Sequence, residues 1–168
     1  MAITYDNSAY SNPGPPTVTI PFTIGGGSDR ALVMIVWTEA GTVPNTVISA
    51  CTFNGVAMTL AIDLVVGTTR GSIFYLLEAS LPAAGTYNAI VTVPGGAFRH
   101  KAAVISLAGV GGPPEATATY NDGVGGTSST LSITTITPNA WLVDMLYSSS
   151  VFAPTATAPL VSRQSDIT

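Results

Sequence analysis

Charge is scarce in this sequence. Only 8% of its 168 residues are Asp, Glu, Lys or Arg, against about 25% in an ordinary globular domain. The five basic residues, Arg30, Arg70, Arg99, Lys101 and Arg163, are scattered over a chain of net charge -4. Nucleic-acid binding needs a basic stripe that displaces counterions from phosphates. None can be assembled here, so no nucleic-acid partner is expected. Cys51 is the only cysteine, which excludes an intrachain disulfide. A zinc site needs three or four His, Cys or carboxylate ligands, and His100 is the only histidine. "MAITYDNSAY" has neither the basic nor the apolar region of a signal peptide. The longest unbroken apolar run, "ALVMIVW", falls far short of the roughly 20 residues that span a bilayer, so no membrane span is expected. Gly25-Gly26-Gly27 lacks the following Gly-Lys-Ser/Thr of a phosphate loop and reads as a turn.

What is present is β-pattern and turn chemistry. "TVTIPFTI" alternates strictly, with Val18, Ile20, Phe22 and Ile24 on one face. Pro21 has no N–H to give to a neighbour, which places this strand at a sheet edge. Further strands are expected at "ALVMIVWT", "VISACTF", "VAMTLAIDLVV", "SIFYLLEA" and "TYNAIVTV", the last with Tyr87, Ala89, Val91 and Val93 on one face. "AAVISLAGV", "EATATY", "TLSITTI" and "AWLVDMLYS" complete the set. The 17 Gly and 12 Pro serve turns that recur at the rhythm of an all-β sandwich or barrel. No segment keeps a helical period.

Two stretches carry more specific information. Asn54-Gly55 between alternating apolar residues is the strongest short hairpin signal. It predicts Val56, Met58, Leu60, Ile62 and Leu64 on one face, and Ala57, Thr59, Ala61 and Asp63 on a surface face without a reactive group. "ALVMIVW" and "AWLVDMLY" are apolar on both faces, whereas a sandwich strand normally shows one face to water. Each is either a central strand under a long loop or part of a subunit contact. Interface candidates are therefore Trp37, Val36, Trp141 and Tyr147.

The ordered set "GGSDRALVMIVWT", "TFNGVAMTL", "SIFYLLEASLPAAGTYNAIVTV", "AAVISLAGV" and "AWLVDML", from about Ile3 to Ser149, resembles a β-sandwich module of tailed-phage virion proteins and some bacterial surface proteins. The resemblance implies a structural or attachment role: capsid decoration, head fibre, or tail or baseplate accessory part. It supplies no catalytic residues. The sequence departs from the module at "SNPGPP", and it ends at "PLVSRQSDIT" where the module continues into a further strand or two.

Candidate chemical sites are thin. His100 in "FRHKAA" is expected in a solvated turn beside Arg99 and Lys101. No serine lies in a G-x-S-x-G setting, so a Ser-His-Asp triad has no footing. Asn121 and Asp122 lie in a Gly-rich loop without the spaced acids of a calcium loop. Glycoside hydrolysis needs two nearby acids; the candidates are Glu39, Asp63, Glu78 and Asp144, with Asp144 expected buried on an apolar strand face. Trp37, Trp141, Tyr75 and Tyr147 could present rings to sugar, although aromatics also dominate cores.

The sequence thus leads to an all-β fold: a single-domain antiparallel β-sandwich, jelly-roll-like. Residues 1–16 are an N-terminal arm or first strand plus Pro-rich loop, and 17–168 are the sandwich, expected to be short of its last strand. The expected function is that of a virion structural protein decorating or projecting from a phage particle, assembled in the host cytoplasm. It is not expected to be an enzyme, and no cofactor or metal is implied. Expected partners are copies of itself, with a trimer foremost, and other virion proteins such as the capsid shell. The alternative is an adhesive module that recognises host surface glycan; a glycoside hydrolase is a distant third.

Overall fold

The computed structural model of the chain describes residues 2–11, 16–40, 47–93, 97–121 and 130–146. Among the described residues nine strands run in order: β1 (Thr4–Tyr10), β2 (Thr17–Ile24), β3 (Ala31–Ala40), β4 (Ala50–Phe53), β5 (Val56–Ala57), β6 (Thr59–Val66), β7 (Thr69–Leu77), β8 (Gly85–Thr92) and β9 (Ala97–Ala108). A 3-10 turn, Glu78–Ser80, follows β7. They form a five-stranded sheet, β1-β9-β3-β7-β6, and a four-stranded sheet, β2-β8-β4-β5. Every pairing is antiparallel.

The pairings are nested. β4 pairs with β5, β3 with β7, β2 with β8 and β1 with β9. Successive pairs alternate between the two sheets. The chain is therefore one long two-stranded ribbon, folded at its middle and rolled up, which is the jelly-roll form of a sandwich. Its apex is the turn at Asn54-Gly55, where both residues have positive φ, 49° and 78°. A two-residue turn of that hand matches the twist of the strands it joins.

The inner faces supply the core. In β2 burial alternates without exception, and Val18, Ile20, Phe22 and Ile24 all point inward. β2 pairs only with β8, so Pro21 does stand on an edge strand. Beside them in the same sheet are Ala89 and Val91 of β8 and Val93 just after it, and opposite, on the larger sheet, lie Leu32, Met34 and Val36 of β3 and Val104 of β9. Phe53, fully buried, meets Phe22 and Tyr87 edge-on at 6.4 and 5.8 Å between ring centres. Burying each such side chain contributes about 1.5–3 kcal/mol.

β3 is the central strand of the larger sheet, which accounts for apolar residues on both its faces. Val33, Ile35 and Trp37 are half-buried on the outer side, between Tyr75, Ile73 and Gly71 of β7 and Ile105, Ala103 and Lys101 of β9.

The hairpin's returning strand departs from the expected single face. It leaves the smaller sheet at Met58 and joins the larger one as β6, with a bulge between Leu60 and Ile62. Met58 is buried at the crossing, while Val56 and Leu60 are 38% and 52% exposed. A bulge inserts one residue and flips the alternation, so Asp63 comes opposite Ser72 on the inner side. The expected strands at 115–120 and 130–136 are not strands, and neither are residues 141–146. β-Propensity without a neighbouring edge to receive hydrogen bonds does not make a strand. Here the backbone N–H groups of Ile136 and Thr137 are taken by the Glu115 carboxylate instead.

Candidate interaction surface

Ionisable groups at one end of the sandwich are spent on each other. Glu78, in the turn after β7, accepts from Arg30 Nε at 2.8 Å, from Arg30 Nη2 at 2.6 Å and from the Arg30 backbone N–H at 2.7 Å. Those hydrogen bonds hold the Glu78 carboxyl below the usual carboxylate range. Arg30 Nη1 also reaches the Gly25 carbonyl. Gly25 N–H and Ser106 Oγ–H both donate to Asp6 Oδ2. The Gly25-Gly26-Gly27 turn is thus tied down by an acid of β1, and a Cβ on Gly25 would collide with that carboxylate.

A second polar group lies on the inner face of the larger sheet. His100, Thr38 and Arg70 stand side by side on β9, β3 and β7. His100 is a strand residue and only 1% exposed, not the solvated turn residue expected. Alternation explains the change: Arg99 and Lys101 take the outer face beside Glu39 and Trp37, which turns His100 inward. Ser72, also 1% exposed, donates to Asp63 Oδ1 at 2.6 Å, and Arg70 lies 3.3 Å from Asp63 Oδ2. Asp63 is exposed, as expected of its face, and it also anchors a buried hydroxyl. Ser72 pairs with Val36 and His100 with Thr38, on strands two apart. Two interstrand spacings are about 9.6 Å, beyond the reach of a nucleophile–base hydrogen bond.

The four candidate acids do not converge. Glu78 clamps Arg30 where β3 begins, and Glu39 sits near the other end of that strand on the outer face. Asp63 is on the inner side of β6. Asp144 is exposed, in a segment without strand structure, and not buried as expected. Asp122 lies outside the described residues. Among the described residues no three His, Cys, Asp or Glu side chains cluster as metal ligands. Cys51 is buried, as its apolar neighbours imply, with Sγ 3.3 Å from Met34 Sδ; burial pushes its thiol up to about 12.

Several of the exposed apolar residues lie on β6 or in the segment beside it. β6 is an edge strand bearing exposed Leu60, Val65 and Val66. Beside it, residues 114–117 line a shallow groove of about 350 Å³ with Leu60, Ala61 and Tyr75. Glu115, in that groove, holds Ile136 and Thr137, and Met145 fills the space next to Gly71. The 130–146 segment thus lies along the β6–β7 side of the larger sheet. It exposes Leu131, Ile136, Trp141, Leu142 and Leu146.

The interface candidates separate on this map. Trp141 is 39% exposed within the 130–146 segment. Trp37 is half-buried on the outer face, opposite Gly71. Val36 is wholly buried between the sheets and offers no surface to another chain, because its face of β3 is the core face. Tyr147 lies outside the described residues. Leu60, Val65 and Val66 were missed, because their strand's place at a sheet edge is set by pairing and leaves no mark in a sequence of alternating apolar residues. No helix among the described residues is long and apolar enough to cross a membrane. Comparison with known proteins returned no matching family model, no matching curated protein and no matching solved structure.

Proposed function

We propose that this chain is a structural protein of a tailed-phage particle, acting by association and not by catalysis, as a decoration, fibre or tail accessory part. The observation that carries the reading is the apolar zone along β6. Edge strands are normally blunted by proline, by charge or by shortness. β2 carries Pro21, β1 carries Asp6 and a bulge, and β5 is two residues long. β6 has a bulge and Asp63 of its own, but beyond them it ends in Leu64-Val65-Val66 and is flanked by the exposed apolar side chains of 131–146. Contiguous apolar surface beside an open edge marks a contact site. The resemblance of the ordered strand motifs to virion modules supports placing that contact in a particle, between copies of this chain or against a shell protein.

The test is light scattering on purified protein at micromolar concentration, with Leu60→Lys/Val65→Lys as the variant and circular dichroism as the folding control. A trimer or other closed oligomer that the variant converts to folded monomer is the expected result. A wild-type chain that stays monomeric, and that fails to decorate phage particles lacking it, overturns the proposal.

A further inference from the structure

The scarce charges are divided unequally between the two sheets. β2, β4, β5 and β8 contain no Asp, Glu, Lys or Arg, so the smaller sheet is uncharged throughout. The strand charges, Asp6, Glu39, Asp63, Arg70, Arg99 and Lys101, all belong to the larger sheet. The outer face of the smaller sheet is hydroxyl and amide instead. Thr19 and Thr23 stand exposed on β2; Thr86 and Asn88 stand exposed beside them on β8, and Thr52 lies on β4. Thr23 and Thr86 hydroxyls are hydrogen-bonded across the strands at 2.7 Å. At the hairpin end this face dips into an open concavity of about 360 Å³, lined by Asn54, Gly55, Thr86, Tyr87, Asn88 and Ile90. The side-chain amides of Asn54 and Asn88 have no hydrogen-bond partner among the described residues. The nearest ion pair, Arg30–Glu78, is self-neutralised.

We infer that this face binds a neutral glycan, with one sugar unit seated in the concavity between Asn54 and Asn88. Each amide offers one acceptor and two donors, a match for neighbouring sugar hydroxyls. The Thr methyls, Pro21 and Ile90 offer apolar area for the C–H face of a sugar ring. A small concave site with few convergent polar groups is how proteins orient such ligands. An acidic glycan or a nucleic acid would find no counter-charge here. The glycan site faces away from the apolar zone along β6, so the two surfaces can serve at once, and neither reading depends on the other.

The test uses immobilised neutral hexose and N-acetylhexosamine oligosaccharides, with sialylated and sulfated counterparts alongside. Wild-type protein should bind neutral members and gain nothing from added acid groups. Asn88→Ala should weaken binding at least tenfold at unchanged melting temperature. Thr19→Glu should do the same by placing a charge on the face. Trp141→Ala, on the other surface, should leave binding intact. Three results would overturn the inference. One is no neutral-glycan binding at millimolar sugar. Another is binding that survives both Asn88→Ala and Thr19→Glu. The third is a Thr19→Glu variant that dissociates an oligomer while wild-type protein ignores sugar, which would make the face a self-contact.

Discussion

Replacing Asp63 with alanine tests the polar anchor inside the larger sheet. Asp63 Oδ1 accepts from Ser72 Oγ–H at 2.6 Å, and Ser72 is 1% exposed. A hydrogen bond to a charged acceptor contributes about 1.5–3 kcal/mol, and a buried hydroxyl left without one costs its desolvation. The Arg70 contact at 3.3 Å joins side chains 17% and 29% exposed, so screening limits it to about 0.5–1 kcal/mol. Together, Asp63→Ala should cost about 2–4 kcal/mol. Ser72→Ala should cost less, about 1 kcal/mol, because the carboxylate it abandons keeps Arg70 and some water. The double variant should cost no more than Asp63→Ala alone, since removing both partners leaves no stranded hydroxyl. Urea denaturation followed by Trp37 and Trp141 fluorescence measures each value. Costs that add to within about 0.3–0.5 kcal/mol would mean the two residues do not interact, and the anchor would be refuted.

Phe53→Ala removes the buried ring beside the ribbon's apex and should cost about 3–5 kcal/mol, whereas Val56→Ala, on the exposed side of the same hairpin, should cost less than about 1 kcal/mol; equal losses in urea melts would contradict the nested roll. Glu78→Gln should lower stability at pH 7 by about 1 kcal/mol after allowance for exposure. Because the folded carboxyl titrates below its unfolded value of about 4.3, that contribution is full above pH 4.3 and fades as pH falls through the folded value. The gap between wild type and variant should therefore narrow in thermal melts as pH falls below about 4.3, and a gap that widens on acidification would be the wrong sign. Cys51, whose thiol burial pushes up to about 12, should resist an aromatic disulfide reagent at pH 8 in native protein and react on unfolding; rapid native reaction would place it at the surface.

The sequence by itself determined the local periods. Strict alternation in Thr17–Ile24 fixed which side chains of that strand face the core, and the missing N–H of Pro21 fixed its place at an edge. Asn54-Gly55 fixed a turn with two positive φ values, and apolar neighbours fixed the burial of Cys51. These depend on one residue's geometry or on a period of two, which a short stretch carries whole. Tertiary structure decided what each strand meets. The ribbon's nesting pairs residues up to about a hundred positions apart, and no local pattern specifies such partners. The crossing at Met58 carried the chain to the other sheet, and the bulge after Leu60 brought Asp63 opposite Ser72, because one inserted residue reverses every later side chain; Leu60, before the bulge, is exposed on an edge strand. His100 went into the core because β9 begins at Ala97, earlier than its charged neighbours suggested. Residues 130–136 alternate well enough for a strand, yet they join neither sheet, and the Ile136 N–H goes to the Glu115 carboxylate. The segregation of charge onto one sheet is spelled out in the sequence but becomes a face only when β2, β8, β4 and β5 come together, since hydrogen-bonded pairing, not sequence order, decides which residues share a surface.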